Sequence, residues 1–337
     1  MRAQVTDYCA HIGADPLLVQ GAGGNVSWKE DGTLWIKASG KWLANAWNED
    51  IFVPVELQQL RGAIASDDFN ATPRTLPGSR LRPSIETMLH ALFEHPIVVH
   101  VHAVEILVHL VRPDAEASIR ARMGPDTHWI ETAYHKPGPD LASALKAALT
   151  ERPSANVAFL QNHGVVAGGA SIAEVSSTLS TAIERFKCPV RAKPPVRASD
   201  SVSLGMLAEN GYQPVPVPDV QELATAPAYF DQLGKNWALY PDHVVFLGAA
   251  PHMFESAETI CKTIQRGGQR PELIFVKGAG VFEREPLGAG KYAYLQCYYD
   301  VLSRQPGNTE LVPLTDDDIS ALLNWDAEKF RQASNAA

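Results

Sequence analysis

Three observations predict an α/β protein. Over the first 186 residues, helix-like apolar spacing alternates with short valine-rich runs, the pattern of a sheet covered by helices. A smaller α/β pattern returns over 221–337, where the apolar runs VVFLG (244–248) and LIFVKG (273–278) read as buried strands around a helix-like stretch at 256–266. Between the two, 187–220 holds Pro189, Pro194, Pro195, Pro214, Pro216 and Pro218, which predicts an extended connection over the surface.

The 337 residues allow one large domain or two ordinary ones, at about 100–200 residues each. Apolar residues at 45% and charged residues at 20% exclude wholesale disorder or a fibrous repeat. A net charge of −9 argues against nucleic acid or an anionic membrane as the main partner, so an anionic small molecule needs a local site. The apolar run from Ile97 to Leu110 is broken by His100, His102, Glu105 and His109, short of the roughly 18–20 clean residues of a membrane helix. No secretory signal is readable and the four cysteines are scattered, so reduced thiols and a cytoplasmic location are expected.

Taken in order, GAGGNVSW from Gly21 lacks the third glycine of a dinucleotide fingerprint, because Val26 stands there; it reads as a tight turn. Next, RPSIETMLHALFEHP places Ile85, Met88, Leu89, Leu92 and Phe93 on one helical face, with Ser84 as N-cap and Glu86 in the first turn. Glu86 there is either a surface acid complementing the helix dipole or a catalytic carboxylate. His90, one turn on, is either a packed core histidine or a support for the site. PIVVHVHAVEIL follows, and a strand puts His100 and His102 on one face with Cβ atoms roughly 6–7 Å apart, close enough for a metal clip. A packed structural pair is the alternative. His163 in FLQNHGVVAGG, where a strand-like run meets a glycine turn before a helix near Ser171, is the candidate third ligand. Metal and carboxylate together suit proton transfer beside a carbonyl. Gly290-Lys291 fails as a phosphate loop, since Tyr292 follows and Glu285 stands where glycine is required. A terminal helix is expected from Thr315, with Ile319, Leu322, Leu323 and Phe330 at helical spacing.

The segments GGNVS (23–27), ASG (38–40), PSIE (83–86), HVH (100–102) and NHG (162–164), in this order, resemble the class II aldolase/adducin family over roughly residues 1–186. That family includes fuculose-1-phosphate and rhamnulose-1-phosphate aldolases and ribulose-5-phosphate 4-epimerases. The tail, with LYPDHVVFLG, VKGAGVF and LLNWDAEKFR, more loosely resembles predicted rhamnulose aldolase/dehydrogenase fusions, without the dehydrogenase domain. The resemblance implies a three-layer α/β/α domain with a central mixed sheet over 1–186, the connection at 187–220 and a smaller α/β extension over 221–337.

By position it implies His100, His102 and His163 as ligands of Zn2+, or of Mn2+ or Co2+, and Glu86 as acid/base. Asn25, Ser39, Gly40 and Ser84 would hold a substrate phosphate, as glycine turns and helix starts do without net positive charge. Only one serine precedes Glu86, and Lys37, Lys41 or Lys136 is the candidate replacement for the missing donor. Glu86 and His100 are also closer in sequence than in the sugar-phosphate aldolases. Tyr134 is the candidate for the family's catalytic tyrosine, supplied across a subunit interface, or else is structural. The implied activity is metal-dependent cleavage of a ketose, expected to be phosphorylated, through an enediolate, in a homo-oligomer. A 4-epimerase and a decarboxylase of a 3-keto sugar-acid phosphate are the rival enzymes, although epimerases typically carry Asp where Glu86 stands. An adducin-like binding module without catalysis is the reading from outside enzymology.

Overall fold

A computed structural model describes residues 1–125, 127–191, 201–307 and 309–335. Seven strands form the larger sheet: β1 (Asn25–Glu30), β2 (Thr33–Lys37), β3 (Phe52–Glu56), β4 (Ile97–Val101), β5 (Trp129–Thr132), β6 (Val157–Leu160) and β7 (Gly164–Gly169). They lie in the order β3-β2-β1-β4-β7-β6-β5, with β5 and β6 parallel and the other neighbours antiparallel, a mixed sheet as expected. Alternation along β4 sends Val99 and Val101 to one face, and Val98 and His100 to the other.

The first face packs against helices Arg2–Gly13, Ala115–Met123 and Ile172–Phe186, through Cys9, Ile119, Leu179 and Phe186. Against the second lie helices Leu57–Ala65, Thr87–Leu92 and Pro139–Glu151, through Leu60, Met88, Leu89 and Leu145. Three layers result. The helix expected near Ser171 begins there, with the Ser171 side chain capping it by accepting from the Glu174 N–H at 3.2 Å.

A second sheet joins β8 (Gln213–Pro214), β9 (Met253–Phe254), β10 (Leu273–Val276) and β11 (Gly280–Glu283) in the order β8-β11-β10-β9. Helix Val104–Leu110 ties the two parts together because it is apolar nearly all round. Its Ile106 and Leu110 enter the first core, while Val104, Leu107 and Val108 pack with Leu223, Tyr298 and Leu302 of the second.

Several elements differ from the sequence reading. The run 244–248 is not a strand: Pro241–Leu247 is a helix, with Pro241 at its first turn and Asp242 beside it. Four apolar residues in a row cannot by themselves distinguish a buried strand from a buried helix. The terminal helix is two, Asp316–Leu323 and Asp326–Asn335, separated at Asn324. Ser201–Glu209 is helical rather than extended, its Leu207 packing on Ile260 and Ile264. Pro194 and Pro195 lie outside the described residues.

Candidate metal centre and active site

The centre is built where β4 ends. His100 is the fourth residue of β4, fully buried, with Asn25 of β1 opposite on one side and Val166 of β7 on the other. His102 stands just past the strand, before helix Val104–Leu110, and His163 sits in the tight turn between β6 and β7. The three rings gather with centroids 4.9, 4.9 and 5.3 Å apart. Their candidate ligand atoms all lie within 4.8 Å of one another, and the Nε2 atoms of His100 and His102 are 3.1 Å apart.

This donor set fits a divalent ion. Nδ1 of His100 lies 3.1 Å from the Val165 carbonyl and can donate to it, which leaves Nε2 as the lone-pair nitrogen facing the other rings. Burial, reinforced by the neighbouring imidazoles, holds His102 well below its ordinary pKa. Burial likewise pulls His163 down to about 4. Both rings are therefore neutral at pH 7, the ligating form. Packing explains the glycine after His163: a Cβ on Gly164 would lie 2.5 Å from the Val101 carbonyl and 3.1 and 3.2 Å from the rings of His102 and His100. Any side chain there would push the triad apart.

Glu86 is buried, not on a polar helix face. Its helix begins only at Thr87, so Glu86 takes the N-cap position, its own N–H bonded to Ser84 Oγ at 3.2 Å. Oε1 lies 3.4 Å from His163 Nε2 and Oε2 lies 3.6 Å from His100 Nε2. Burial opposes ionisation of this carboxyl, but the imidazoles of His100 and His163 and the Asn25 amide outweigh it and hold the pKa at about 2. Asn25 Nδ2 donates to Oε2 at 2.9 Å, and Asn25 Oδ1 pairs with His90 Nε2. His90 Nδ1 in turn meets Ser27 Oγ at 2.8 Å. His90, kept neutral by burial with its pKa near 3, thus supports the carboxylate through Asn25. Oε1 of Glu86 has no hydrogen-bond partner among the described residues.

Beside the triad a polar cavity is lined by Asn25, Ser39, Gly40, Ser84 and Glu86, so the expected anion-binding residues do gather there. Ser39 Oγ is buried without a partner among the described residues. Of the three lysines, only Lys37 lines the cavity; it is buried, with Nζ donating to the Ala22 and Lys41 carbonyls at 2.7 and 2.6 Å. Burial lowers its pKa to about 7. Lys41 pairs with Glu49 on an adjoining, more open surface that shares Ser39 and Gly40. Lys136 lies 3.8 Å from Asp140 and over the Trp325 ring. Tyr134 is not brought to the cavity. It packs on the Leu314, Leu322 and Leu323 cluster, its hydroxyl buried and its pKa raised by that burial.

Two further residues of the cavity come from beyond residue 187, where the sequence showed no chemistry. Asp242 and Arg331 line the same cavity and are both buried. Asp242 at a helix start after Pro241 was a readable signal for the helix, though not for its destination. Asn162 was also missed as a structural device. It adopts a left-handed φ of 53°, and its Nδ2 donates to the carbonyls of Leu239 at 2.9 Å and Val312 at 2.7 Å, tying the ligand turn to the C-terminal part. Asn162→Ala should lower unfolding free energy by about 2–4 kcal/mol, from two lost bonds and the left-handed backbone. Urea unfolding measures this, and Asn162→Gly should lose less because glycine tolerates that φ.

The family of the class II aldolase and adducin N-terminal domain matches residues 3–188. The uncharacterized oxidoreductase YuxG of Bacillus subtilis (strain 168) is 26% identical over 174 residues, which is 47% of this chain and only 25% of that protein. The N-terminal class II aldolase domain of a conserved Thermoplasma acidophilum protein is 24% identical with a TM-score of 0.46, covering 54% of this chain and 90% of that one. L-fuculose-1-phosphate aldolase from Thermus thermophilus is 20% identical with a TM-score of 0.37, covering 55% and 93%. YgbL from Klebsiella pneumoniae, a putative aldolase/epimerase/decarboxylase by its description, is 22% identical with a TM-score of 0.40, covering 55% and 88%. With more than half of its length matched, and with GGN, PSIE, HVH and NHG meeting at one buried site, the chain belongs to the class II aldolase and adducin N-terminal domain family.

Proposed function

We propose that the chain is a divalent-metal-dependent aldolase that cleaves a ketose, in the first instance a ketose phosphate, with Glu86 as acid/base. One observation carries this reading: three buried imidazoles converge beside a buried carboxylate whose Oε1 has no hydrogen-bond partner among the described residues. His100, His102 and His163 would hold the ion, most simply Zn2+, with Mn2+ or Co2+ as substitutes. Three protein ligands leave a position open. A bound ion supplies Lewis-acid stabilisation of the charge that develops on substrate oxygens.

The chain's own residues do the rest. Asn25, fixed by His90, clamps Glu86 Oε2 and leaves Oε1 to take and return the proton at the nucleophilic carbon. Ser39 Oγ, the Gly40 turn and Ser84 line the cavity where an anionic substrate group would sit. We place this chemistry on residues 1–186, with 187–220 as connection and 221–337 as extension, in a cytoplasmic homo-oligomer. No membrane-length apolar helix occurs among the described residues.

The purified chain, incubated with a panel of ketose phosphates and 3-keto sugar acids, should release an aldehyde and a ketone. An epimer or carbon dioxide instead would transfer the site to the 4-epimerase or decarboxylase reaction. A chain without bound divalent metal, inactive when metal is added, would leave the adducin-like binding module.

A further inference from the structure

We propose that Asp242 and Arg331 are positioning residues of the metal centre, supplied within the same chain by the C-terminal segment. This rests on the metal reading above but names residues outside the matched domain. Asp242 opens helix Pro241–Leu247, and its Oδ2 faces His102 Nδ1 at 3.4 Å. That oxygen is buried with no hydrogen-bond partner among the described residues, so it is an acceptor aimed at the His102 ring and not engaged elsewhere. Arg331, on the last helix, holds the other oxygen, Oδ1, at 2.8 Å through one guanidinium nitrogen. Its second terminal nitrogen grips both oxygens of Glu328 at 3.0 and 2.8 Å. Asp242, Glu328 and Arg331 are 4%, 1% and 8% exposed, so this is a buried network and not a surface ion pair.

The logic is that of a histidine ligand's outer nitrogen. A metal-bound imidazole is oriented, and its tautomer chosen, by the acceptor that its second N–H meets. His100 uses the Val165 carbonyl for this. His102 lies beyond the end of β4, and Asp242 Oδ2 is the acceptor that faces its outer nitrogen. The GGN motif makes room for the contact: a Cβ on Gly23 would stand 2.9 Å from Asp242 Oδ2 and 3.0 Å from His102 Nδ1. Arg331 acts one step further out, holding Asp242 in place and bonded in turn to both oxygens of Glu328.

The test is binding of Zn2+ and Co2+ alone to the full purified chain, with no substrate present. Asp242→Asn should weaken Zn2+ affinity by about 10–100-fold and change the visible absorption of the Co2+ form, and Asp242→Glu should partly restore both. Arg331→Met should weaken binding in the native background and add nothing beyond about twofold to Asp242→Asn, because it acts through Asp242. Circular dichroism establishes folding of each variant. If Arg331→Met unfolds the chain, Arg331→Lys, which keeps the charge but loses the fork, carries the same comparison. Native-like Zn2+ affinity and an unchanged Co2+ spectrum in Asp242→Asn would overturn the proposal and leave the triad reading standing. Additive losses would overturn the role of Arg331. No ion bound by the native chain would overturn the metal reading itself.

Discussion

Glu86→Gln is expected to lower turnover by about 10²–10⁴-fold while leaving metal content unchanged. Glutamine has nearly the same shape and can keep the contact with Asn25 Nδ2, but its amide cannot take a proton from carbon. With its carboxyl held low, near 2, and Asn25 Nδ2 donating to it, the native residue is the carboxylate, the form that can act as a base. Its oxygens stand 3.4 and 3.6 Å from Nε2 of His163 and of His100, close enough to serve the reacting carbon of a substrate held at the triad. Two measurements separate its role from simple support: bound metal per chain, and exchange of the substrate's carbon-bound hydrogen with deuterated water. Exchange at the native rate in Glu86→Gln would remove Glu86 from the proton transfer.

Stripping the divalent ion with a chelator should reduce turnover by about 10³-fold or more, since Lewis-acid stabilisation amounts to several kcal/mol and each decade of rate to about 1.4 kcal/mol. The fold should survive. The three histidines sit in or just beyond strands of a seven-stranded sheet with its own apolar cores on both faces, so a bound ion would not be what closes the domain. Far-UV dichroism should therefore be nearly unchanged, and activity should return on adding Zn2+, Mn2+ or Co2+. The order in which the three restore it identifies the preferred ion. A metal-free chain with full activity would end the aldolase mechanism proposed here.

The sequence carried the site further than the fold. Five short motifs contained the histidine triad, Glu86, Asn25, Ser39, Gly40 and Ser84, and all of them meet at one cavity or the histidine cluster beside it. They were legible because each residue type has a chemical reason to recur at a fixed offset: histidines two apart on a strand, a carboxylate at a helix start, glycine where rings crowd the backbone. What was illegible depends on distance in the chain. Asp242 lies 140 residues from His102, and nothing local in LYPDHVVFLG says where that helix will dock. Arg331 sits in a stretch that reads as an ordinary charged helix. Tyr134, expected to act across a subunit interface, packs within its own chain toward Leu314 and Leu322. The strand assigned to 244–248 failed for a different reason: periodicity is silent in a continuous apolar run, and Pro241 followed by Asp242 was the signal that should have decided it.

The position of β4 in the larger sheet sets how an ion can come and go. With β1 and β7 bonded to its two edges and helices over both faces, its amides should be among the slowest to exchange with solvent, protected up to the free energy of global unfolding. His100 is released only with that strand. His102 and His163 belong to the segments that follow strand ends, whose local opening would not require the sheet to come apart. Metal exchange should therefore proceed in the folded protein, at a rate set by local opening of the 161–163 turn and the C-terminal helices and not by the stability of the domain.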